Sequence, residues 1–477
     1  MNKFTKIIAT IGPATDDPEM IEKLIEAGVN IFRYNFKHNT VEWHNERIRR
    51  VNAVSKKMGV HVGKLIDLQG PEIRIKMAQD SITIKEGDEL LFDESMLINK
   101  GQGFSISHPS IIEHMTDGQK LLADDGSFTF VVKREKGKCY LVSHSEGVLK
   151  NNKSLNMPGS KFPLPVLIER DFDGLKLAQM GEVDFVALSF VRTKEDVLTL
   201  RKEMKKLGLV AKVVSKIETQ VALDNFDEIL SASDAIMVAR GDLGVEIPIE
   251  QVPYYQKMMI KRCFQKGVSV ITATQMLQTM IDNPFPTRAE VSDVANATYD
   301  FTDAVMLSGE TASGKYPLQA VKMMAKTVAF NEQKPYADTR SLYQFELGDQ
   351  EQRLSDAAYN LYIQSLNVEN TIAGFVILTE TGRTAQLLSR YRAKAPIFAI
   401  CPTKKVADTL SINFAVTPFV RDEVYSKDKE VTSDDVVKVI SYLHKNKILK
   451  KGQKVVVLHG DYWAVEGGTS TVKIVEV

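Results

Sequence analysis

The sequence predicts an α/β protein: a (β/α)8 TIM barrel interrupted by a small inserted β domain and followed by a separate α/β domain. Three observations carry this. Eight short apolar runs alternate with helix-like segments, the repeating unit of a barrel. Between residues 70 and 165 the alternation breaks into short, Gly-punctuated β-like stretches such as SITIKEGDELLF and FTFVVKREKGKCYLV. Charged residues stand at the C-terminal ends of several apolar runs, the face on which barrels place their chemistry. An open doubly wound sheet is the alternative arrangement of the same alternation.

The elements follow in order. Residues 6–11 (KIIATI) form a strand stopped by Gly12-Pro13, and Asp16-Asp17-Pro18 caps a helix that runs through Ala27 to a stop at Gly28. A second strand at 29–35, a helix over 42–57 and a third strand at 62–68 lead into the inserted β domain. Beyond it come a helix over 171–179 and strand 185–189, helix 194–207 and strand 211–214, helix 219–230 and strand 235–239. Helix 250–265, strand 268–273, helix 289–298, strand 304–307 and a helix from 318 to about 330 complete the barrel. Polar 331–352 reads as a linker. After it, helices over 356–365, 385–391, 404–411 and 433–444 alternate with strands at 372–379, 397–400, 415–419, 455–458 and 472–475. The domains expected are 1–69 with 167–335 for the barrel, 70–166 for the insertion and 350–477 for the C-terminal α/β unit.

Composition bounds the function. Of 477 residues, 44% are apolar and 26% charged, ordinary values for a globular protein. Sixty-one basic residues balance sixty-one acidic ones, so no global field argues for nucleic acid or an anionic membrane. Cys139, Cys263 and Cys401 fit no metal spacing and suit a reducing compartment. The opening MNKFTKIIATIGPA lacks a signal-peptide core and no run approaches eighteen apolar residues, so a cytoplasmic protein is expected.

The densest chemistry lies between Val213 and Pro248. Two consecutive apolar runs end in charge, the first in Lys216 and Glu218, the second in Arg240, Gly241 and Asp242. The other expected strand ends add Arg33, Asn35, Lys37 and His38; Asp67, Glu72 and Arg74; Thr274 and Gln275; Ser308 and Glu310. Cations and carboxylates facing one cavity suit a phosphorylated anion held with a hard divalent metal, since Arg forks onto phosphate and carboxylates share Mg²⁺ with substrate oxygens. A structural salt-bridge network is the alternative use of the same residues. Gly309 to Lys315 imitates a phosphate-binding Walker loop, but Tyr316 stands where that loop needs a metal-binding hydroxyl, and the motif fails.

The runs KIIATIGPA, NFKH, DLQGPEIR, LADDG, LNMPG, SKIET, MVARGDLGVEIP, ITATQML, PTRAEVSDVANA and MLSGETASGKYP fall in order across residues 6–317. Together they resemble pyruvate kinase. The resemblance implies a barrel with a β lid and a C-terminal α/β domain, usually in a homotetramer. It implies transfer of a phosphoryl group from phosphoenolpyruvate to ADP, giving pyruvate and ATP with Mg²⁺ or Mn²⁺. Carried over by position, Glu218 and Asp242 would hold the metal, Lys216 would neutralise the moving phosphoryl group, and Arg33 and Arg74 would orient phosphates. Backbone amides of Ala239, Arg240, Gly241 and Asp242 would receive the substrate carboxylate. Thr274, backed by Ser308 and Glu310, would orient a water relay that protonates the enolate. Asn35, His38, Pro13 and Trp43 match nucleotide-side positions.

Two departures stand out. The family's Asn-Phe-Ser-His run binds an essential K⁺ with the residues matching Asn35, Asp67 and Leu68, and here Lys37 replaces the serine. In the family, lysine at the Glu72 position accompanies independence from K⁺, yet this chain keeps Glu72. The expectation is that Lys37 places its own charge where K⁺ would sit. The second departure is in the C-terminal domain. Thr379, Glu380, Thr381, Gly382, Arg383 and Thr384 match the family's effector-phosphate loop, usually Thr-Lys-Ser-Gly-Arg-Ser, with Glu380 replacing its lysine. A sugar-phosphate or AMP effector and a silent structural turn are both open there. Two other functions use the same residues: a metal-dependent barrel lyase or aldolase on pyruvate-like substrates, and a non-catalytic sugar-phosphate or nucleotide sensor.

Overall fold

Eight parallel strands, Lys6–Thr10, Ile31–Asn35, Gly63–Asp67, Phe185–Leu188, Lys212–Ile217, Ala235–Ala239, Ser269–Ala273 and Ala304–Leu307, pair in chain order and close when the first meets the last. The open sheet is thereby excluded. The structure is a computed structural model, and it describes residues 3–159, 162, 164–334, 344–366, 372–421, 429–463, 465 and 467–477. Because the barrel strands are covered on both faces, they read as unbroken apolar runs. Ile8, Ile31, Leu65, Phe185, Val214 and Met237 are among the residues that fill the interior, while a larger cluster joins the outer strand faces to the helices.

Local chemistry explains the helix ends. Asp17 accepts from the amides of Glu19 and Met20 to start helix Pro18–Ala27, and Gly28 ends it with φ 115°. Several boundaries differ from expectation: the helix expected over 356–365 starts at Gln350, that over 385–391 is Arg383–Ser389, and two differences lie by the candidate site. The fifth strand does not stop at 214 but continues to Ile217, because the Lys216 ammonium finds partners inside the protein and gives the strand no reason to end. The helix expected over 219–230 is two, Gln220–Asp224 and Phe226–Ala232, parted at Asn225, whose amide donates to the Arg192 carbonyl at 2.9 Å. Two short helices were not expected at all: Arg240–Glu246 after the sixth strand and Gly309–Ala312 after the eighth. Their glycines and charges carry no helical periodicity. The Walker-like lysine, Lys315, is exposed and paired with Asp282 at 2.9 Å.

The inserted domain is a seven-stranded sheet with a separate two-stranded ribbon around its own apolar core. It leaves the barrel at Gly70 and returns before Ile168, and one buried carboxylate pins both crossings. Asp171, fully buried, accepts from the amides of Gln69 at 2.9 Å, Gly70 at 3.3 Å and Ile168 at 3.0 Å. Gly70 takes φ +69°, and a Cβ there would meet Phe190 and Ser189 at 3.1 Å.

The C-terminal sheet runs Val416–Val420, Ile397–Cys401, Ile372–Leu378, Lys454–Gly460 and Thr469–Glu476, the last strand antiparallel, with apolar clusters on both faces. Its helices include Gln350–Ser365, Arg383–Ser389 and Ser433–Lys445. Of the expected linker, 331–332 end helix Pro317–Glu332, 350–352 begin helix Gln350–Ser365, and 335–343 lie outside the described residues. The domain docks on the barrel floor, where Ile412 joins the interior cluster. Beside it Lys64, 2% exposed, lies 3.2 Å from Asp184 and 3.4 Å from Asp408. Among the described residues no helix is long and apolar enough to cross a membrane, and the three cysteines are buried and unpaired.

Replacing Asp171 by alanine leaves three backbone amides at the lid junction without their acceptor. The expected cost is at least about 2 kcal/mol of stability, since each stranded buried donor loses its full solvation. Urea denaturation reads this directly, and an unchanged midpoint would mean the carboxylate does not hold the junction.

Candidate active site

The strand ends lead to a cavity of about 880 Å³ between the barrel mouth and the inserted domain. Its wall includes Lys37, Glu72, Arg74, Gly241, Asp242 and Gln275. Two chains of opposite charges stand near it: the second lines its wall, while Arg33, Asp67, Lys216 and Glu218 of the first are not among its lining residues.

The first chain is buried. Arg33 sets its guanidinium on Asp67 at 2.7 Å and donates to the Thr10 hydroxyl at 2.9 Å. Lys216 Nζ lies 3.4 Å from Asp67, 2.7 Å from Glu218 Oε1 and 2.8 Å from the Ser189 hydroxyl. Burial alone would favour the neutral amine, but the carboxylates of Asp67, Glu218 and Asp242 outweigh it and raise the pKa of Lys216 above the usual lysine range. Asp67 is also buried, and against that cost Lys216 and Arg33 hold its carboxyl below the ordinary range. Glu218 behaves oppositely: burial pushes it up, Lys216 pulls it back, and the nearby charge of Asp242 pushes again. The second chain is at the rim, where Lys37 pairs with Glu72, which also takes Arg74 at 2.8 Å.

A divalent metal fits this arrangement. In the buried chain two cations, Arg33 and Lys216, stand against three carboxylates, Asp67, Glu218 and Asp242, while the spare cation of the rim chain is bound to Glu72 on the cavity wall. Glu218 Oε1 is buried and, though close to Lys216, off the angle of a hydrogen bond to it. The described residues hold no cluster of three or more metal-ligating side chains, so Glu218 and Asp242 would bind Mg²⁺ or Mn²⁺ together with water or substrate oxygens, as Mg²⁺ commonly does.

Thr274 sits at φ +68°, a left-handed backbone that costs a β-branched residue energy and tends to persist where function needs it. Its hydroxyl donates to the Ala273 carbonyl at 2.7 Å and accepts from the Gly241 amide at 2.8 Å, tying the seventh strand end to the short helix that carries Asp242. Some predicted residues spend their side chains on bracing the site, Arg240 while it also lines the cavity. The Arg240 side chain pairs with Asp293 at 2.7 Å and donates to the Thr274 carbonyl at 2.7 Å. Fully buried Glu310 spends both oxygens on backbone amides, Leu277 at 3.1 Å and Ser308 at 2.8 Å. Trp43 lies beneath the Arg47 guanidinium at 4.2 Å, and Pro13 and His38 are exposed. Asn35 accepts from the Lys37 amide at 3.3 Å, and the buried Leu68 carbonyl accepts from the Ser189 hydroxyl at 2.7 Å.

Ser189 and Phe190 were missed. Ser189 bridges Lys216 to Leu68, and Phe190, at φ +54°, donates its amide to Glu218 Oε2 at 2.6 Å. Both follow the apolar run of the fourth strand. A hydroxyl at a barrel strand end is a signal of the kind that marks Thr274 and Ser308, but the partners that give Ser189 and Phe190 their roles, Lys216 and Glu218, are set by tertiary structure. In the C-terminal domain, Thr379 accepts from the Gly382 amide at 3.0 Å, Thr381 and Glu380 border a small cavity, and Arg383 pairs with Asp349 and Glu351.

A closed barrel with a lidding insertion, and buried ion pairs at the C-terminal ends of its strands, defines a lidded (β/α)8-barrel enzyme. The chain belongs to the pyruvate kinase family. The family model described as the pyruvate kinase barrel domain matches residues 2–321, and that described as the pyruvate kinase alpha/beta domain matches 364–475. A pyruvate kinase of Geobacillus stearothermophilus is 38% identical over 483 residues, covering 99% of this chain and 80% of the relative. One of Staphylococcus epidermidis strain ATCC 35984 is 40% identical over 425 residues, covering 88% and 72% respectively. One of Staphylococcus aureus strain MRSA252 is 40% identical over 433 residues, covering 89% and 73%.

Glu218→Gln keeps the volume and removes the charge. Mn²⁺ binding, followed by electron paramagnetic resonance without turnover, is expected to weaken on the order of a hundredfold. Undiminished affinity would place the metal elsewhere.

Proposed function

We propose that this chain transfers the phosphoryl group of phosphoenolpyruvate to ADP, giving pyruvate and ATP in glycolysis. The observation that carries the reading is Lys216, an ammonium buried at a barrel strand end between Asp67 and Glu218, one strand away from Asp242. Such a fixed charge, withdrawn from water, stabilises negative charge far more than a solvated one could. Phosphoryl transfer asks mainly for positioning and charge neutralisation, and the residues present supply both.

In this reading Lys216 and Arg33 hold the transferred group, and Arg74 orients the nucleotide phosphates from the rim. Amides of Ala239, Arg240, Gly241 and Asp242 take the substrate carboxylate; the Gly241 amide would release the Thr274 hydroxyl to do so. Thr274, so freed, orients the water that protonates the enolate carbon, with Ser308 and Glu310 fixing the loop around it. Asn35, His38, Pro13 and Trp43 border the nucleotide side. Glu218 and Asp242 hold the divalent cation, which when bound supplies charge neutralisation at the phosphoryl group. Neither the barrel lyase nor the non-catalytic sensor has support: the family matches run through barrel and C-terminal domain alike.

Lys37 carries the proposal one step further. Its ammonium pairs with Glu72, and its charge is among those that lower the Asp67 carboxyl. A fixed cation therefore serves the position where K⁺ would act with Asn35, Asp67 and Leu68, and catalysis needs no added K⁺.

Two measurements follow. In an assay coupled to lactate dehydrogenase, Lys216→Met should lower kcat by about 10²–10³-fold or more while circular dichroism stays unchanged, the scale of losing one fixed charge-stabilising donor. Wild-type turnover would refute the assignment. In tetramethylammonium buffer the unmodified protein should be fully active without KCl, and Lys37→Ser should become K⁺-dependent. Strong K⁺ activation of the unmodified protein would end the tethered-ammonium reading.

A further inference from the structure

The loop at 379–384 already holds an anion, and that anion belongs to the chain. Glu351, in the first turn of helix Gln350–Ser365, is 4% exposed. Its Oε2 accepts from the Arg383 guanidinium. Its Oε1 is reached by the Thr384 hydroxyl at 3.2 Å and the Thr469 hydroxyl at 3.4 Å, two buried groups themselves 2.8 Å apart. Arg383 also pairs with Asp349, the capping residue of the same helix. One guanidinium and two hydroxyls converging on two anionic oxygens is the donor set that a phosphate group takes. The cavity left beside the carboxylate is small, about 30 Å³, and the Arg383 side chain is turned to Glu351 rather than into it. Any second anion would also face the charges of Glu351 and Glu380, which both border that cavity.

We propose that Glu351 is a built-in anion: its carboxylate fills the pocket of Arg383, Thr384 and Thr469 from within the chain. The native pocket is therefore closed to phosphate esters, and it becomes an oxyanion site only when that carboxylate is removed. The contact joins three separate elements, helix Gln350–Ser365, helix Arg383–Ser389 and strand Thr469–Glu476. A soluble effector at this place would have to select such an arrangement by differential binding; here a side chain of the protein supplies it.

Calorimetric titration of inorganic phosphate tests it. Glu351→Ser empties the pocket, Glu351→Gln keeps it filled without charge, and Glu351→Ser with Arg383→Met removes the receiving cation. The serine variant should bind phosphate at least tenfold more tightly than either of the others. Its lowered melting temperature should climb back with phosphate but not with chloride at equal ionic strength. Phosphate binding no tighter in Glu351→Ser than in Glu351→Gln would overturn the proposal. If the serine variant does not fold, fructose 1,6-bisphosphate titrated into the unmodified protein and Arg383→Met decides. Equal responses support a closed pocket, and a site present only in the unmodified protein shows an open one and refutes it.

Discussion

A lysine ammonium buried inside a barrel strand sets the terms for everything around it. Lys216 cannot remain charged there unless carboxylates surround it, and they do: Glu218 follows it at the end of the same strand, and Asp67 reaches it from the end of the third. Those carboxylates are themselves buried, so Asp67 needs Arg33 and Glu218 needs the Phe190 amide. Phe190 in turn holds a left-handed backbone beside the glycine at which the chain leaves for the inserted domain. Each requirement calls up the next, and the sequence of requirements walks around the barrel mouth. Breaking one partner of such a set strands the others as unpaired buried charges, which costs several kcal/mol. The same interlock makes the site rigid before any ligand arrives, as charge stabilisation demands.

The opposite end of the barrel is organised by a different force. Ile412 enters the interior cluster from the C-terminal domain and closes the floor with apolar contact, while Lys64, Asp184 and Asp408 pair around it. The Lys6 ammonium donates to the Val416 carbonyl at 2.7 Å. The barrel interior is thus completed by a residue some hundred positions past the last barrel strand. A barrel expressed alone would expose those charges and leave its lowest layer short of a side chain, so the two units share one core rather than merely touching.

How far this could be read from sequence follows from the physics of each part. The eight strands were legible because burial on both faces makes strands such as Ala235–Ala239 uniformly apolar, and strand-end charges flagged Lys216, Glu218 and Asp242. The true end of the fifth strand was not, because nothing local to Lys216 says that Asp67, far away in sequence, will neutralise it. Ser189 and Phe190 escaped for the same reason: their importance lies in a hydroxyl and an amide that only tertiary structure aims at Lys216 and Glu218. Arg240 was readable as a strand-end cation, but not as one turned toward Asp293, since a side chain's direction is decided by partners 53 residues on. The Ile412 plug and the Glu351 carboxylate carry no sequence signal at all. One is an ordinary apolar residue, the other an ordinary glutamate in the first turn of a helix, where acidic residues are common on dipole grounds alone.

As proposed above, Lys37 and Glu351 would be instances of one physical choice. Each places a charged side chain where a soluble ion of the same sign could bind, Lys37 beside Glu72 at the barrel rim and Glu351 beside Arg383 in the C-terminal domain. An ion captured from solution loses translational freedom and binds in proportion to its concentration. A tethered charge loses only side-chain freedom, and its occupancy does not depend on the medium. The cost is regulation, because a charge that is always present can report nothing about its surroundings. On the two proposals above, the chain would exchange two points of outside control for two fixed ion pairs. The cavity between barrel and lid is then the place where soluble ligands still decide its state.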